Sequence, residues 1–395
     1  MCGCHEALHR PTFDGSILYT VSAMNKRIAV LCVLLGITTV LRTRADANQP
    51  PVRVAIVGLV HSHVAGFLPQ VLASRDVQLV GIVEANQKLG AACAARYQLS
   101  TNFFFASLAE LLAKTNAQAV ATFTSTFDHK SVVEECAPRG VHVMLEKPLA
   151  VNMEHARAIA AAARQGGIHV LVNYETTWYA GNHAAYEMVV GQNAIGALRK
   201  IVVHDGHSGP KEIGCPPEFL EWLTDPVLNG GGALTDFGCY GAGLMSWLMQ
   251  GQRPTSVFAV TQQIKRDVYP KVDDEATIVV TYPKAQGIIQ ASWNWPFNRK
   301  DMEIYGQTGQ VLIPRQDLLQ VRIGNSAAQE ITPVPLTGSE SNPLSYLAAV
   351  VRGEIKPAGL SSLELNLTVM EILDAARQSA ATGQRVNLSA ETKPR

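Results

Sequence analysis

Val52–Gly66 reads VRVAIVGLVHSHVAG. An apolar run, alternating at first and then continuous, reaches a glycine and a turn before small and apolar residues resume. This is how the first strand of a parallel sheet hands over to a helix. A dinucleotide-binding corner of that kind carries G-x-G-x-x-G. Only its first glycine, Gly58, stands here, with Val60 and His63 at the second and third places. Glycine at the second place lets phosphates approach the backbone closely; with the Cβ of Val60 there, either the loop must swing or the phosphates must sit slightly further out. Taken alone, Gly58-Leu59-Val60-His61-Ser62-His63 fits a cofactor loop and an ordinary strand–turn–helix corner equally well.

Outward from this stretch, short apolar runs alternate with amphipathic segments. The runs are VRVAIV (52–57), VQLVGIV (77–83), QAVATF (118–123), VHVML (141–145) and IHVLV (168–172), and the helical segments are 64–74, 86–97, 107–114, 129–138 and 152–165. Strand and helix in alternation predict an α/β domain over 52–172, a parallel sheet covered on both faces. Gly140 and Gly166-Gly167 fall just past helix ends, where left-handed caps belong. After residue 172 the texture changes. LRKIVVH, SVFAVTQQI, EATIVVTYP, QGIIQASWNW, DMEIYG and QVLIP follow one another with turns between. That predicts a second, α+β domain over 173–388 with an open, mainly antiparallel sheet, and Ser361–Thr382 as a final helix packed across the whole. Cofactor and substrate are expected where the two domains meet.

The chain has 395 residues with Lys+Arg and Asp+Glu equal at 33 each, which gives no electrostatic reason to expect nucleic acid. At the N-terminus, Met24-Asn25-Lys26-Arg27 is a basic start, Ile28–Val40 an apolar core and Ala45-Asp46-Ala47 a cleavage pattern. Residues 1–47 are therefore expected to be a signal segment, with translation starting at Met24 and the mature protein exported to the periplasm or secreted, without stable membrane insertion. Cys93, Cys136, Cys215 and Cys239 remain after the segment, widely spaced, and buried free thiols are their default.

Glu84 closes the run VQLVGIVE at about the distance after Gly58 expected of the acid that accepts hydrogen bonds from the adenosine ribose. A carboxylate there repels a 2′-phosphate, and Ala85-Asn86-Gln87 brings no arginine close behind it. The expectation is NAD rather than NADP.

Glu146-Lys147-Pro148, after the run at 141–145, resembles the E-K-P of the glucose–fructose oxidoreductase/inositol dehydrogenase (Gfo/Idh/MocA) family. Thr124-Ser125-Thr126-Phe127-Asp128-His129 is similar to that family's T-P-N-x-x-H, with Ser125 and Thr126 departing from it. Gly230–Tyr240, GGGALTDFGCY, resembles G-G-G-x-L-x-D-x-G-x-[HY], and Ile304–Gly309 resembles a late-sheet G-T-x-G segment. The resemblance implies a Rossmann domain, a tightly held nicotinamide cofactor, a sugar or polyol substrate and a homo-oligomer. It puts cofactor contacts at Gly58, Val60, His61, Ser62, Glu84, Thr124, Thr126, His129, Glu146 and Lys147. It also gives Lys147 a catalytic role.

Oxidising a secondary alcohol needs a group that takes the hydroxyl proton, and an ammonium beside the reacting oxygen stabilises developing alkoxide. Lys147 or Tyr240 could each carry the proton, with Asp236 holding a substrate hydroxyl. Asp236 and Tyr240 lie four apart, a spacing that shares one helix face. A phenol serves as base at neutral pH only if a cation lowers it. Tyr174, Trp178, Tyr179 and Trp222 are candidate sugar-stacking aromatics. His204-Asp205-Gly206-His207 reads as surface or substrate-side groups rather than a metal centre, and Trp293-Asn294-Trp295 as sheet packing. Three functions stay open: an NAD-dependent sugar oxidoreductase, a glycosidase or lyase that uses retained NAD for transient oxidation and elimination, and a non-catalytic sugar-binding relative.

Overall fold

The computed structural model describes residues 49–388. The expected signal segment, 1–47, lies outside them. Among the described residues no helix is long and apolar enough to cross a membrane.

The first half follows the alternation of the sequence: β1 (Val52–Val57), α1 (Val64–Ala73), β2 (Val77–Val83), α2 (Gln87–Tyr97), β3 (Phe104–Phe105), α3 (Leu108–Lys114), β4 (Ala119–Thr122), α4 (His129–Cys136), β5 (His142–Glu146), α5 (Met153–Gly166) and β6 (Val170–Asn173). The six strands form one parallel sheet in the order β3-β2-β1-β4-β5-β6. The order reverses direction at β1, so a crevice opens between the ends of β1 and β4, where such sheets take their ligands. β3 has two residues, too few for a periodicity, and the sequence reading passed over it. Gly140 and Gly167 adopt left-handed φ of 69° and 63°, but Gly166 is helical. A Cβ at Gly166 would stand 2.3 Å from the Ala137 carbonyl oxygen, so this glycine serves a close crossing, not a cap.

The second half runs α6 (Ala180–Tyr186), β7 (Leu198–Gly206), α7 (Pro217–Leu223), α8 (Ala233–Asp236), α9 (Gly238–Leu248), β8 (Ser256–Gln262), β9 (Glu275–Thr281), β10 (Gln286–Ser292), β11 (Arg299–Gly306), β12 (Gly309–Arg315), β13 (Leu318–Ile323), β14 (Gln329–Ile331), α10 (Pro343–Val351), α11 (Leu363–Thr382) and β15 (Val386–Asn387). Nine strands pair in the order β14-β13-β12-β11-β7-β10-β9-β8-β15, antiparallel except for β7 on β10. Alternation sets the faces: Ala276, Ile278 and Val280 of β9 are buried, with their neighbours half-buried. Helices α8, α9 and α11 cover that face. Each fully buried Ile or Val there contributes roughly 1.5–3 kcal/mol of transfer free energy.

Helix α11 also reaches the first sheet. Its Asp374 Oδ2 accepts the Met153 amide at 2.8 Å, and its Asn366 Oδ1 accepts the Tyr174 hydroxyl at 2.8 Å. The two sheets thus share one scaffold, and the C-terminal ends of β1, β2, β4 and β5 face the second half of the chain.

Candidate active site

Three strand ends build the near wall. Gly58 leaves β1 with φ +81°, and a Cβ there would stand 2.7 Å from Thr124 Cγ2 and 2.9 Å from the Phe123 backbone. Glycine is therefore required at the first fingerprint place. Glu84, after β2, accepts the Leu59 amide on Oε2 at 2.9 Å and the Asn86 amide on Oε1 at 2.8 Å. The acid expected for the ribose stands at the crevice and also ties down the loop after β1. With Gly58 and Glu84 at the switch point of the sheet, these residues fit a dinucleotide.

The rest of the loop departs from the glycine pattern in a definite way. His61 is buried, its amide bonded to the Phe123 carbonyl at 3.0 Å. Its ring lies 4.9 Å from that of Phe219 and 5.4 Å from that of Trp222, both on α7. Trp222 Nε1 donates to the Val60 carbonyl at 3.4 Å. Trp222 is accordingly not a sugar contact: it packs behind the loop. Tyr174 is also withdrawn, buried with its hydroxyl on Asn366. Thr126 donates to Asn229 at 3.2 Å, and His129 Nδ1 faces the Leu149 carbonyl at 3.3 Å. Burial lowers His129 to a pKa of about 4, so it is a neutral structural imidazole. Ser62 lines the cleft and the two hollows flanking it.

His63, at the third fingerprint place, pairs through Nδ1 with Glu146 Oε2 at 3.1 Å, and Glu146 Oε1 accepts Asn173 Nδ2 at 3.0 Å. Burial pushes the Glu146 carboxyl up, and His63 and Lys147 pull it below its ordinary value. His61, His63 and Glu146 each bring a ligating atom within 4.8 Å of the others. His61 Nδ1, however, already accepts the His63 amide at 3.2 Å, and the Lys147 ammonium adds repulsion. The cluster is a hydrogen-bonded knot.

The cleft itself has a volume of about 410 Å³. Lys147 follows β5 and is only 6 % exposed. Its ammonium is ion-paired with Asp236 Oδ1 and donates to the Asp236 carbonyl at 3.3 Å. The other carboxylate oxygen, Oδ2, accepts Trp293 Nε1 at 2.9 Å. Burial alone would lower the ammonium, but Asp236 holds it above its ordinary value; burial alone would raise Asp236, and Lys147 holds it below. The pair is ionised.

The triple glycine delivers Asp236 to this place. Gly230 and Gly231 have φ of 79° and 154°. A Cβ at Gly232 would lie 1.8 Å from the Asp273 carbonyl oxygen. The Asp273 carboxylate then caps α8, accepting the Gly232 and Leu234 amides at 3.0 and 2.7 Å. Asp236 and Tyr240 do not share one helix: α8 ends at Asp236, and α9 begins at Gly238. Both still line the cleft. The ammonium groups of Lys147 and Lys300 lie over the Tyr240 ring, 5.2 and 4.9 Å from its centre. Burial and the Glu175 carboxylate push the phenol well above its ordinary value, favouring its protonated form.

On the far wall Tyr179 donates to Glu175 Oε1 at 2.5 Å, and Glu175 Oε2 is ion-paired with Lys300. Trp178 Nε1 donates to Asn173 Oδ1 at 3.0 Å, and its ring borders an adjoining hollow. Of the expected sugar contacts, Lys147, Tyr179, Asp236 and Tyr240 therefore meet in the cleft, and Trp178 stands beside it. The sequence reading missed Trp293, Lys300 and Glu175, and left His207 undecided. Trp293 reaches the site from just past the end of β10 and Lys300 from the start of β11, stretches that read as sheet packing.

Residues 52–174 match the description "Oxidoreductase family, NAD-binding Rossmann fold" and residues 183–312 match "GFO/IDH/MocA C-terminal domain". The chain belongs to the Gfo/Idh/MocA family of oxidoreductases. It is 28% identical over 189 residues to the trans-1,2-dihydrobenzene-1,2-diol dehydrogenase of Sus scrofa, covering 48% of this chain and 51% of that one, so it spans about half the length of this relative. In fold it resembles an aldose-aldose oxidoreductase from Caulobacter crescentus complexed with glycerol (TM-score 0.74, 21% identity, 86% of this chain and 100% of that one). It also resembles an inositol dehydrogenase homolog from Azotobacter vinelandii complexed with NAD+ (TM-score 0.76, 20% identity, 86% and 98%).

Proposed function

We propose that this protein is an NAD-dependent oxidoreductase that moves a hydride between the nicotinamide and a secondary hydroxyl of a sugar, polyol or glycoside. The observation that carries this reading is the buried Lys147–Asp236 ion pair on the floor of a cleft at the carboxyl edge of the parallel sheet. Bound NAD supplies the hydride acceptor, and its reduced form the donor.

The chain's own groups do the rest. Asp236, fixed by Trp293, aims the Lys147 ammonium and keeps it charged. In the direction of reduction Lys147 gives a proton from Nζ to the substrate oxygen as a C–H bond forms at the carbonyl carbon. In the direction of oxidation the same nitrogen must first be neutral. Glu175, Tyr179 and Lys300 offer carboxylate, hydroxyl and ammonium to the remaining sugar hydroxyls. Glu84 favours NAD over NADP by charge. Retention of the cofactor is supported by α7, whose Phe219 and Trp222 clasp His61 and Val60 from the second half of the chain. We further propose export after cleavage near Ala47, and a homo-oligomer formed through the open sheet face that carries Phe258 and Val260, 38 and 52 % exposed.

The test is turnover of NAD+ with a panel of aldoses, alditols and methyl pyranosides, alongside native mass spectrometry of the purified protein. Reduction of NAD+ by at least one member, and NAD mass on the protein, are expected. Turnover by none would overturn the reading.

A further inference from the structure

We propose that His207 is a neutral hydrogen-bond donor that holds the reacting sugar oxygen from Nε2, leaving Lys147 as the only group that moves a proton. The proposal deepens the oxidoreductase reading and rests on it.

His207 follows β7 at the wall of the cleft. Its backbone is stitched on both sides to the segment after β10. Its amide donates to the Ser292 carbonyl at 3.1 Å, and its carbonyl accepts the Trp295 amide at 3.2 Å. This close pairing depends on Gly206, where a Cβ would fall 2.1 Å from the Ser292 oxygen. The ring is fixed as firmly as the backbone. Nδ1 accepts the Gly209 amide at 2.9 Å, and the ring stands edge-on to Phe237 with centres 5.0 Å apart. Phe237 is the residue between Asp236 and the start of α9, so the imidazole is braced against the element that delivers the Lys147 partner.

An amide donating to Nδ1 decides the tautomer: the neutral ring carries its proton on Nε2. Among the described residues Nε2 has no protein partner. The groups that face the ring leave it uncharged. Burial lowers its pKa, Asp236 of α8 raises it, and Lys147 after β5, Lys300 of β11 and Lys265 lower it, with a net downward shift. At neutral pH the cleft therefore contains a rigid N–H donor that cannot serve as a base, because its other nitrogen is occupied.

Such a donor fits a carbonyl–alcohol interconversion. Negative charge develops on oxygen as the C–H bond forms or breaks, and a preorganised neutral donor stabilises it without losing its own proton. In reduction the carbonyl carbon gains hydride, the oxygen gains a proton from Lys147 Nζ, and the Nε2–H bond of His207 stays intact. Two donors, one cationic and one neutral, then share the oxygen. Tyr240, with its phenol raised, is not needed for either role.

Two measurements test the assignment. The first needs no substrate: ring 15N–1H correlation spectra of histidine-labelled protein with NAD+ added, assigned with His207→Asn. A neutral Nε2–H tautomer with a pKa below 6.5 is expected; an Nδ1–H tautomer or a pKa above 7 overturns the proposal. The second compares kcat/KM of wild type, His207→Phe and His207→Asn on the panel compound the wild type turns over fastest. His207→Phe, which loses the donor, should lose about 10²-fold, chiefly in kcat. His207→Asn, which can accept the same amide and still present an N–H, should recover part of it. NAD+ affinity by calorimetry should stay within about twofold in both. Near-wild-type kcat/KM for His207→Phe overturns the assignment. If no panel compound is turned over, the oxidoreductase reading fails, and the tautomer measurement still judges the histidine.

Discussion

Trp293 Nε1 donates to Asp236 Oδ2 at 2.9 Å, leaving Oδ1 of the same carboxylate for the Lys147 ammonium. One buried indole thus orients the acid that orients the lysine. Trp293→Phe keeps most of the packed volume and leaves one carboxylate oxygen without its donor. A buried polar group left unsatisfied costs about 1–3 kcal/mol. Thermal unfolding should show a loss of that size, and kcat on the best panel sugar should fall about tenfold with NAD+ affinity unchanged. A stable variant with unaltered kcat would mean that the indole only fills space.

The lysine's charge gives the reaction a pH dependence with a fixed sign. Asp236 holds Lys147 above its ordinary value, so oxidation, which needs the neutral amine, should keep rising with pH through the alkaline range, and reduction should be fastest near neutrality. In Asp236→Asn the raising charge is gone and burial remains, so the rise in oxidation should move to lower pH by at least one unit. A profile unmoved by that substitution would place the titrating group elsewhere.

Much of this site was legible in the order of motifs. E-K-P, the triple glycine and Glu84 each sit at a chain turn, where the residue type is dictated by backbone geometry or charge and leaves a signature. Gly58 and Gly232 show why, since each would drive a Cβ into a neighbouring backbone. What stayed illegible comes from strands and the turns at their ends. Trp293 continues the buried run Ala291-Ser292 just past the end of β10, and nothing local distinguishes a tryptophan that only packs from one that also donates to Asp236. The break at Phe237 hid in the same way, because GALTDFGCYGAG reads as one helix, whereas α8 ends at Asp236 and α9 starts at Gly238. His61 misled in the opposite direction: a polar residue in a cofactor loop proved to be buried between Phe219 and Trp222.

Asp205 predicts a stability profile independent of catalysis. Both its carboxylate oxygens are buried without protein partners, and burial pushes its pKa up to about 8, with Lys300 opposing. Its folded pKa exceeds the unfolded value near 3.9, so between those values the folded state binds the extra proton. Stability from this group is therefore full at low pH and lost as pH rises toward 8, at about 1.4 kcal/mol per unit. Asp205→Asn should flatten that slope in urea unfolding and make the protein more stable than wild type at pH 8. An unchanged slope would show that the carboxyl is already ionised at neutral pH.

Glu84 carries two duties, and separating them tests cofactor choice. Glu84→Ser with Ala85→Arg removes the charge that repels a 2′-phosphate and adds a partner for it. Calorimetry should show relative NADP affinity rising at least tenfold. Loss of the bonds to the Leu59 and Asn86 amides should also lower thermal stability. Wild-type protein that binds NADP more tightly than NAD would contradict the assignment.

Lys147→Met addresses the chemistry most directly. Methionine keeps much of the side-chain length and volume, and loses the charge and the proton. The paired control is Tyr240→Phe, whose phenol is held protonated and should matter little. With NAD+ affinity monitored by calorimetry, Lys147→Met should lower kcat on the best panel sugar by about 10²–10⁴-fold at unchanged cofactor binding, and Tyr240→Phe by no more than about tenfold. Near-wild-type turnover in Lys147→Met, or the larger loss in Tyr240→Phe, would contradict the role given to the lysine.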